Sequence, residues 1–346
     1  MSDSSIRLVD RLRDVAQAEN GADGRPPAAE RLVPMTTREL CALPDPPKSD
    51  ELLGPVLVRR QRTVIGGYTG EGKTSLALQM VAAVANRREF LGWQGIGGKV
   101  LVIDAEQGLR TIKRRLREAG LEEVDEIDYL RVPEGLALDS DPDEAQAVEA
   151  LLASGEYALV LGDPLYKLSR SDPNDKREAA ALMALLDGWR DRYGFALLLL
   201  MHPRKRPAQG AKLTLDELFG SGAFNWGTEV ALGLERPRPG YSRLHFLKDR
   251  DGDLPVGERW GLLFDRESGF RRDPEDGKPR ETTAGKVREL LEADPGITTE
   301  ALLEATGRAE RTVRSALREV EAESTGGGAG GPKRWYLPAE QQEMDA

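Results

Sequence analysis

From residue 34 to residue 272 the chain alternates short apolar runs with longer stretches in which apolar residues recur every three or four positions. The short runs are "TVI" (63–65), "KVLVIDAE" (99–106), "YALVLGD" (157–163), "FALLLLMH" (195–202), "EVALGLE" (229–235) and "RLHFLKD" (243–249). Most are apolar at every position, the pattern of strands covered on both faces. The stretches between them, "KTSLALQMVAAVAN", "LRTIKRRLREAG", "DEAQAVEALLAS" and "REAAALMALLDGWRDRYG", carry helical spacing. Strands alternating with helices predict an α/β domain built on a mostly parallel sheet with helices on both sides.

The flanks read differently. Residues 1–33 are polar and carry Pro and Gly ("NGADGRPPAAE"), which predicts a frayed tail with at most a short helix over Ile6–Gln17. A charged linker with two prolines occupies 273–283, and a second small unit follows over 284–338, with a tail at 339–346. That unit shows three helical patterns. The second starts after a Thr-Thr pair and stops at Gly307, and the third begins near Glu310, the layout of a helix-turn-helix. "STGGGAGGPKRWYLP" then reads as a β-wing with a Gly tip and a return strand, so a winged helix is expected.

Composition narrows the class. With 39% hydrophobic and 31% charged residues, the 346-residue chain is expected to bury a real core across about two domains. No run of about 20 apolar residues predicts a membrane span, and "MSDSSIRLVDRLRDVAQ" lacks the apolar centre of a signal peptide. The single cysteine, Cys41, excludes an internal disulfide, which suits a cytoplasmic protein. A net charge of −10 argues against a surface that coats nucleic acid wholesale, but leaves room for a local basic channel.

The sharpest chemistry is Gly67-Tyr68-Thr69-Gly70-Glu71-Gly72-Lys73-Thr74, a full match to G-x-x-x-x-G-K-[ST] between an apolar strand and a helix. Gly67, Gly70 and Gly72 let the backbone turn its N–H groups toward phosphate oxygens. Glu71 and Ser75 complete the cradle, and the helix beginning at Lys73 points its positive end into it. The Lys73 ammonium is placed to neutralise the outer phosphates of ATP, and the Thr74 hydroxyl to ligate Mg²⁺. Asp163, ending a buried strand, is the second Mg²⁺ candidate. Glu106 and Asp104 end the strand after the phosphate-loop helix, where a carboxylate can take a proton from an attacking water; Glu106 is the preferred base. His202 ends another core strand, where it faces the ligand crevice as a sensor of the γ-phosphate. No function is assigned to His245. Tyr68 can stack on the nucleotide or on a neighbour.

Together these residues resemble a RecA-like P-loop ATPase, and more narrowly the RepA-type plasmid and phage hexameric helicases. The carrying segments are "VIGGYTGEGKTSLALQMVAAVANRREFLGW", "GKVLVIDAEQGLRTIKRRL", "LVLGDPLYKL", "LLLLMHPRK", "FGSGAFNWGTEVALGLER" and "HFLKDRDGDLP", from about residue 40 to 272. The resemblance implies Glu106 as catalytic glutamate, Asp163 as Mg²⁺ aspartate and His202 as sensor. It also implies that Lys248 and Arg250 of "LKDRDG" reach the γ-phosphate of a neighbouring subunit, and hence a ring, most often a hexamer. Asp249, Asp251 and Asp253 flank that pair, which the family pattern does not require.

A ring implies loops facing single-stranded DNA in its channel. One candidate, "LSRSDPNDKRE" (168–178), carries Arg170, Lys176 and Arg177; the better one (203–224) carries Arg204, Lys205, Arg206 and Lys212. Such cations can track a phosphate backbone or simply be solvated. In the winged helix Arg311, Arg314 and Arg318 share one helix face, with Lys333 and Arg334 on the wing. Yet residues 284–338 hold eight Lys/Arg against nine Asp/Glu, a net of −1, so origin DNA and a protein partner both stay open. Trp93, Trp189, Trp226 and Trp260 read as core or interface packing, and Trp335 as an anchor of the small unit. Three readings follow: a DNA-translocating motor, a nucleotide-switched DNA-binding regulator or initiator, and a small-molecule kinase. The last lacks an arginine-rich lid segment.

Overall fold

The computed structural model describes residues 34–170, 175–203, 213–219, 225–276, 283–326 and 332–338. The expected Ile6–Gln17 helix and the 339–346 tail lie outside them.

The strands in chain order are β1 (Glu51–Pro55), β2 (Leu57–Val58), β3 (Arg62–Gly66), β4 (Glu89–Phe90), β5 (Trp93–Gln94), β6 (Val100–Asp104), β7 (Ile127–Arg131), β8 (Leu159–Asp163), β9 (Ala196–Met201), β10 (Val230–Arg238), β11 (Tyr241–Asp249), β12 (Arg259–Asp265), β13 (Gly269–Arg272), β14 (Ile297–Thr298), β15 (Glu323–Thr325) and β16 (Arg334–Tyr336). Among the described residues, nine form one sheet in the order β13-β12-β11-β10-β3-β9-β8-β6-β7. From β10 to β7 all neighbours are parallel. β11, β12 and β13 add an antiparallel edge.

The helices Lys73–Ala85, Leu109–Glu118, Pro142–Gly155 and Lys176–Tyr193 make the crossovers between β3, β6, β7, β8 and β9. Asp141 and Asp175 cap the last two by accepting N–H bonds of the first turn. The Asp175 cap starts its helix at Lys176, so Lys176 and Arg177 lie on a helical turn and not in the loop expected for them.

The continuously apolar runs hide a period of two. Val100, Val102, Leu159, Leu161, Leu198 and Leu200 pack on one face with Leu76, Met80 and Val84 of the phosphate-loop helix. Their neighbours Leu101, Ile103, Val160, Leu197 and Leu199 pack on the other with Leu152, Leu186 and Trp189. Both faces are buried, so alternation carries no polarity in the sequence.

Several elements were not expected. The β1–β2 and β4–β5 hairpins and strands β7, β12 and β13 are short or carry charges and glycines, which mask strand patterning. Within 203–224, expected as loop, Leu215–Phe219 is helical. Thr214 and Glu217 explain it: Glu217 N donates to Thr214 Oγ1 at 3.3 Å while Thr214 N donates to Glu217 Oε2 at 2.9 Å, a reciprocal cap. Trp93 and Trp189 are buried, whereas Trp226 is 69% exposed and is not core.

At the N-terminal end of β3 sits a buried ion network. Arg62 is 0% exposed. Its Nη1 donates to both carboxylate oxygens of Asp187 at 2.7 Å, its Nε to Thr228 Oγ1 at 3.2 Å, and its Nη2 to the Trp226 carbonyl. Its backbone N–H donates to Glu229 Oε2 at 2.8 Å. Arg190 Nη1 joins Asp187 at 3.1 Å and Glu229 at 3.6 Å.

The second unit has its own core of Ala284, Val287, Leu291, Ile297, Leu302, Val313, Ala316, Leu317 and Val320. Three helices (Thr283–Ala293, Thr299–Thr306, Glu310–Glu319) pack beside a sheet in the order β14-β16-β15. Trp335 is half-buried against this core, and its Nε1 donates to Thr299 Oγ1 at 2.9 Å. Among the described residues no helix is long and apolar enough to cross a membrane.

Arg62→Ala should cost about 3–5 kcal/mol, because it strands Asp187 and Glu229 beside Arg190 in the interior. Urea unfolding is expected to show a lower midpoint at unchanged slope, and Arg62→Met a smaller loss.

Candidate functional site

β3 delivers the phosphate loop to the carboxyl end of the sheet. Gly67 N donates to the Met201 carbonyl at 3.3 Å, tying the loop to β9. Gly72 caps the Lys73 helix at φ +98, a left-handed conformation that glycine adopts at low cost. At Gly67 a Cβ would sit 2.5 Å from the Leu234 carbonyl oxygen, so the loop must run close against β10. Glu71 is buried and accepts the Tyr68 N–H at 2.9 Å, which braces the loop from within.

The loop opens into a cavity of about 470 Å³ lined by Thr69 to Ser75 together with Glu106, Asp163 and His202. Lys73 Nζ donates to the carbonyls of Gly67 at 2.6 Å and Tyr68 at 3.0 Å and lies 3.3 Å from His202 Nδ1. Burial lowers the Lys73 ammonium to about 8, against the opposing pull of Asp163 and Glu71. An anionic ligand would raise it again.

Thr74 Oγ1 donates to Asp163 Oδ2 at 2.8 Å. A hydroxyl and a carboxylate oxygen are the hard donors that Mg²⁺ takes, so Thr74 and Asp163 would hold the hydrated ion, which would supply charge neutralisation at the phosphates. Burial raises the Asp163 carboxyl to about 6, with the Thr74 hydrogen bond working against it.

Asp104, the lesser base candidate, is 1% exposed. It accepts bonds from Glu106 N, Gln107 N and the Tyr129 hydroxyl at 3.1, 2.9 and 2.5 Å. It organises the turn after β6, and Glu106 is the carboxylate that lines the cavity. Glu106 Oε2 lies 3.9 Å from His202 Nε2. Burial first, then Lys73, holds His202 below its ordinary value, so the ring is neutral at pH 7.

Four groups at this site escaped sequence reading. Arg115 Nη1 donates to Gln107 Oε1 at 2.6 Å, and Gln107 Nε2 sits 3.5 Å from Asp163 Oδ2. The Tyr166 ring meets His202 edge-on at 5.8 Å. Arg266, from the β12–β13 turn, also lines the cavity. Gln107 precedes the Leu109–Glu118 helix and Arg115 stands on it, so no helix spacing joins them in the sequence; Arg266 comes from an edge hairpin with no strand signal either.

Lys248 and Arg250 lie at the other end of the sheet. Val230 of β10 stands opposite both Thr63 at the start of β3 and Asp249 of β11. The phosphate loop leaves β3 at its far end. Lys248 Nζ donates to Asn225 Oδ1 at 3.0 Å and to its carbonyl at 3.2 Å. Arg250, one residue past β11, has its Nη1 3.5 Å from Glu229 Oε1.

Arg204, Lys205, Arg206 and Lys212 lie outside the described residues. In the C-terminal unit Arg311, Arg314 and Arg318 are exposed along the Glu310–Glu319 helix. Arg314 pairs with Glu310 at 2.6 Å, Lys333 Nζ lies 4.5 Å from the Trp335 ring centroid, and Arg334 donates to the Gly296 carbonyl at 3.0 Å.

A mostly parallel sheet, a glycine-rich loop after its central strand, a buried lysine and a Thr–Asp pair define a P-loop ATPase. The chain belongs to the AAA domain family, whose profile matches residues 26–208. Among solved structures it is similar to one described as the ATPase domain of another protein, at 17% identity and a TM-score of 0.48, over 61% of this chain and 84% of that one. No curated protein matches the sequence.

The buried Asp163 carboxyl has a definite pH signature. Its folded value is raised, so its contribution to stability is full below about pH 4 and is lost as pH rises through about 6. Asp163→Asn is therefore expected to stabilise the nucleotide-free protein at pH 7.5 by up to about 3 kcal/mol, with the gain vanishing near pH 4. Thermal unfolding across that range checks it.

Proposed function

We propose that the protein is an ATP-driven, ring-forming motor on single-stranded DNA, a RepA-type replicative helicase of a plasmid, phage or integrated element. The observation that carries this reading is the position of Lys248 and Arg250. Both sit at the opposite end of the central strands from their own phosphate loop, so any phosphate they reach belongs to another subunit. A head-to-tail contact of that kind generates a closed ring when the rotation closes. Arg250 then acts as an arginine finger that ties turnover to assembly.

Within one subunit Lys73 neutralises the outer phosphates, Thr74 and Asp163 hold Mg²⁺, Glu106 accepts the proton of the attacking water, and His202 senses the γ-phosphate. Arg204, Lys205, Arg206 and Lys212 track the strand in the channel. The C-terminal unit is a winged helix. Arg311, Arg314, Arg318, Lys333 and Arg334 would meet origin DNA, or the same face would dock a replication partner. Pairing of Arg314 with Glu310 and the near-neutral charge of the unit favour limited DNA contact there.

Glu106→Gln is expected to bind ATP with nearly unchanged affinity and hydrolyse it at least about 100-fold more slowly, within the range of general-base losses. Unchanged single-turnover hydrolysis would remove Glu106 from the mechanism.

Steady-state hydrolysis at ring-forming concentrations should rise roughly tenfold with single-stranded DNA, about 1.4 kcal/mol off the barrier. Arg250→Ala should remove on the order of 10³-fold of that turnover and leave nucleotide affinity intact. ATP binding without DNA stimulation would favour the alternative, a nucleotide-switched DNA-binding regulator or replication initiator. A chain that stays monomeric with ATP at every concentration would exclude the finger.

A further inference from the structure

The two ends of the sheet are oppositely charged. At the cavity end the ten-residue Leu109–Glu118 helix holds five cations and one carboxylate. Arg110, Lys113, Arg114 and Arg117 are exposed on it. Arg114 and Arg115 line the cavity, and Arg110, Lys113 and Arg117 form the next stripe of the helix, outside that lining. At the other end, past β11, residues 249–258 hold four carboxylates and one cation, Arg250. We propose that these surfaces are the two halves of one contact between copies of the chain: the acidic 249–258 segment of one subunit seats on the basic Leu109–Glu118 helix of the next, with Asp251 and Asp253 facing Arg110 and Lys113. The proposal rests on the ring assembly proposed above and names the charges that specify its subunit contact.

The charges concerned are available. Among the described residues Arg110, Lys113 and Asp253 have no ion-pair partner. Asp251 is exposed, and its carboxylate accepts only from the neutral Gln61 amide, at 2.7 Å. Asp249 is committed to its own turn, accepting the N–H groups of Asp251 at 3.2 Å and Leu254 at 2.7 Å. Docking through Asp251 and Asp253 therefore breaks no internal ion pair. The apolar surface agrees. Apart from Met35 and Leu40, the large apolar side chains exposed among the described residues are Leu109, Tyr166, Trp226 and Val256. Leu109 starts the basic helix, and the Tyr166 ring meets His202 at the cavity. Val256 lies in the acidic segment, and the Trp226 carbonyl receives Arg62 at the foot of β3. Each end thus offers two exposed apolar side chains beside its charges, the composition of a protein–protein contact.

Arg250 ties the two surfaces together. It lies between Asp249 and Asp251, so delivering it to a neighbour's phosphates also brings Asp251 and Asp253 to the rim of that neighbour's cavity. Acids carried toward a triphosphate repel it unless cations stand beside them, and Arg110 and Lys113 are placed to do so. The same charges exclude the wrong pairings. Two acidic ends repel each other, as do two basic ends, so only the head-to-tail contact survives. Asp251 and Asp253 thereby act as the specificity element of assembly, by repulsion as much as by attraction.

Sedimentation of the full chain with Mg²⁺ and a slowly hydrolysed ATP analogue, across protein concentration, tests this. Asp251→Lys with Asp253→Lys should raise the concentration of half-assembly about tenfold or more, and Arg110→Glu with Lys113→Glu should do the same, because each sets like charges face to face. The Asp251/Asp253 variant should keep its affinity for ATP. All four changes in one chain, or the two variants mixed one to one, should assemble within about threefold of the unaltered protein, because opposite charges meet again. Mixing cannot rescue chains that have misfolded. Assembly indifferent to either pair of changes, or restored neither by the four-site variant nor by the mixture, would overturn this contact while the ring stands. An unaltered chain that stayed monomeric with nucleotide at every concentration would overturn the ring reading as well.

Discussion

Strand β3 is held from its buried foot by a single guanidinium. Arg62 has no access to water, and Asp187, Thr228, the Trp226 carbonyl and, through the Arg62 backbone N–H, Glu229 offset much of the cost of burying its charge. Burial lowers the Arg62 guanidinium from its usual range, with Asp187 the main opposing influence. These partners come from the Lys176–Tyr193 helix and the approach to β10, so one ionic node fixes three elements against one another. Everything at the far end of β3, including the phosphate loop, inherits its position from that node and from the two apolar faces of the sheet.

At the other end the same physics is left unfinished. Lys73 is a buried cation whose bonds go to neutral carbonyls, and Asp163 is a buried carboxyl whose one close partner is a hydroxyl. Burial pushes each toward its neutral form, and neither has a hydrogen-bonded partner of opposite charge such as Asp187 gives Arg62. A triphosphate and a divalent cation would bring the missing opposite charges to both at once. The site is thus organised for its ligand at some expense to the empty fold, as functional sites commonly are.

The sheet also separates two kinds of cation. Lys73 and Arg115 belong to the cavity of their own chain. Lys248 and Arg250 sit beside the Arg62 node, where Asn225 and Glu229 hold them. Arg250 is more than half exposed and its pairing is loose, so another anion can compete for it at small cost. A fold with its phosphate loop at one end of the strands and an exchangeable arginine at the other has the polarity that head-to-tail assembly requires.

Much of this was legible along the chain. Gly67 to Thr74 specify a phosphate loop locally, because positive φ and a helix start depend on near neighbours. The continuously apolar strands announced a sheet covered on both faces, and Asp163, Glu106 and His202 were marked by standing where those runs end. What sequence could not supply was anything set by distant pairing. Asp104 and Glu106 look equivalent until the Tyr129 hydroxyl arrives from β7 and takes Asp104 out of the cavity. Gln107 and Arg115 become part of the site only when the Leu109–Glu118 helix folds back over β6. The edge hairpin of β12 and β13, with its charges and glycines, has no clear strand pattern, yet it builds the second half of the cavity. Local geometry and hydrophobic pattern are written in consecutive residues; strand order, and hence which side chains meet across β3, was decided only by the packed sheet.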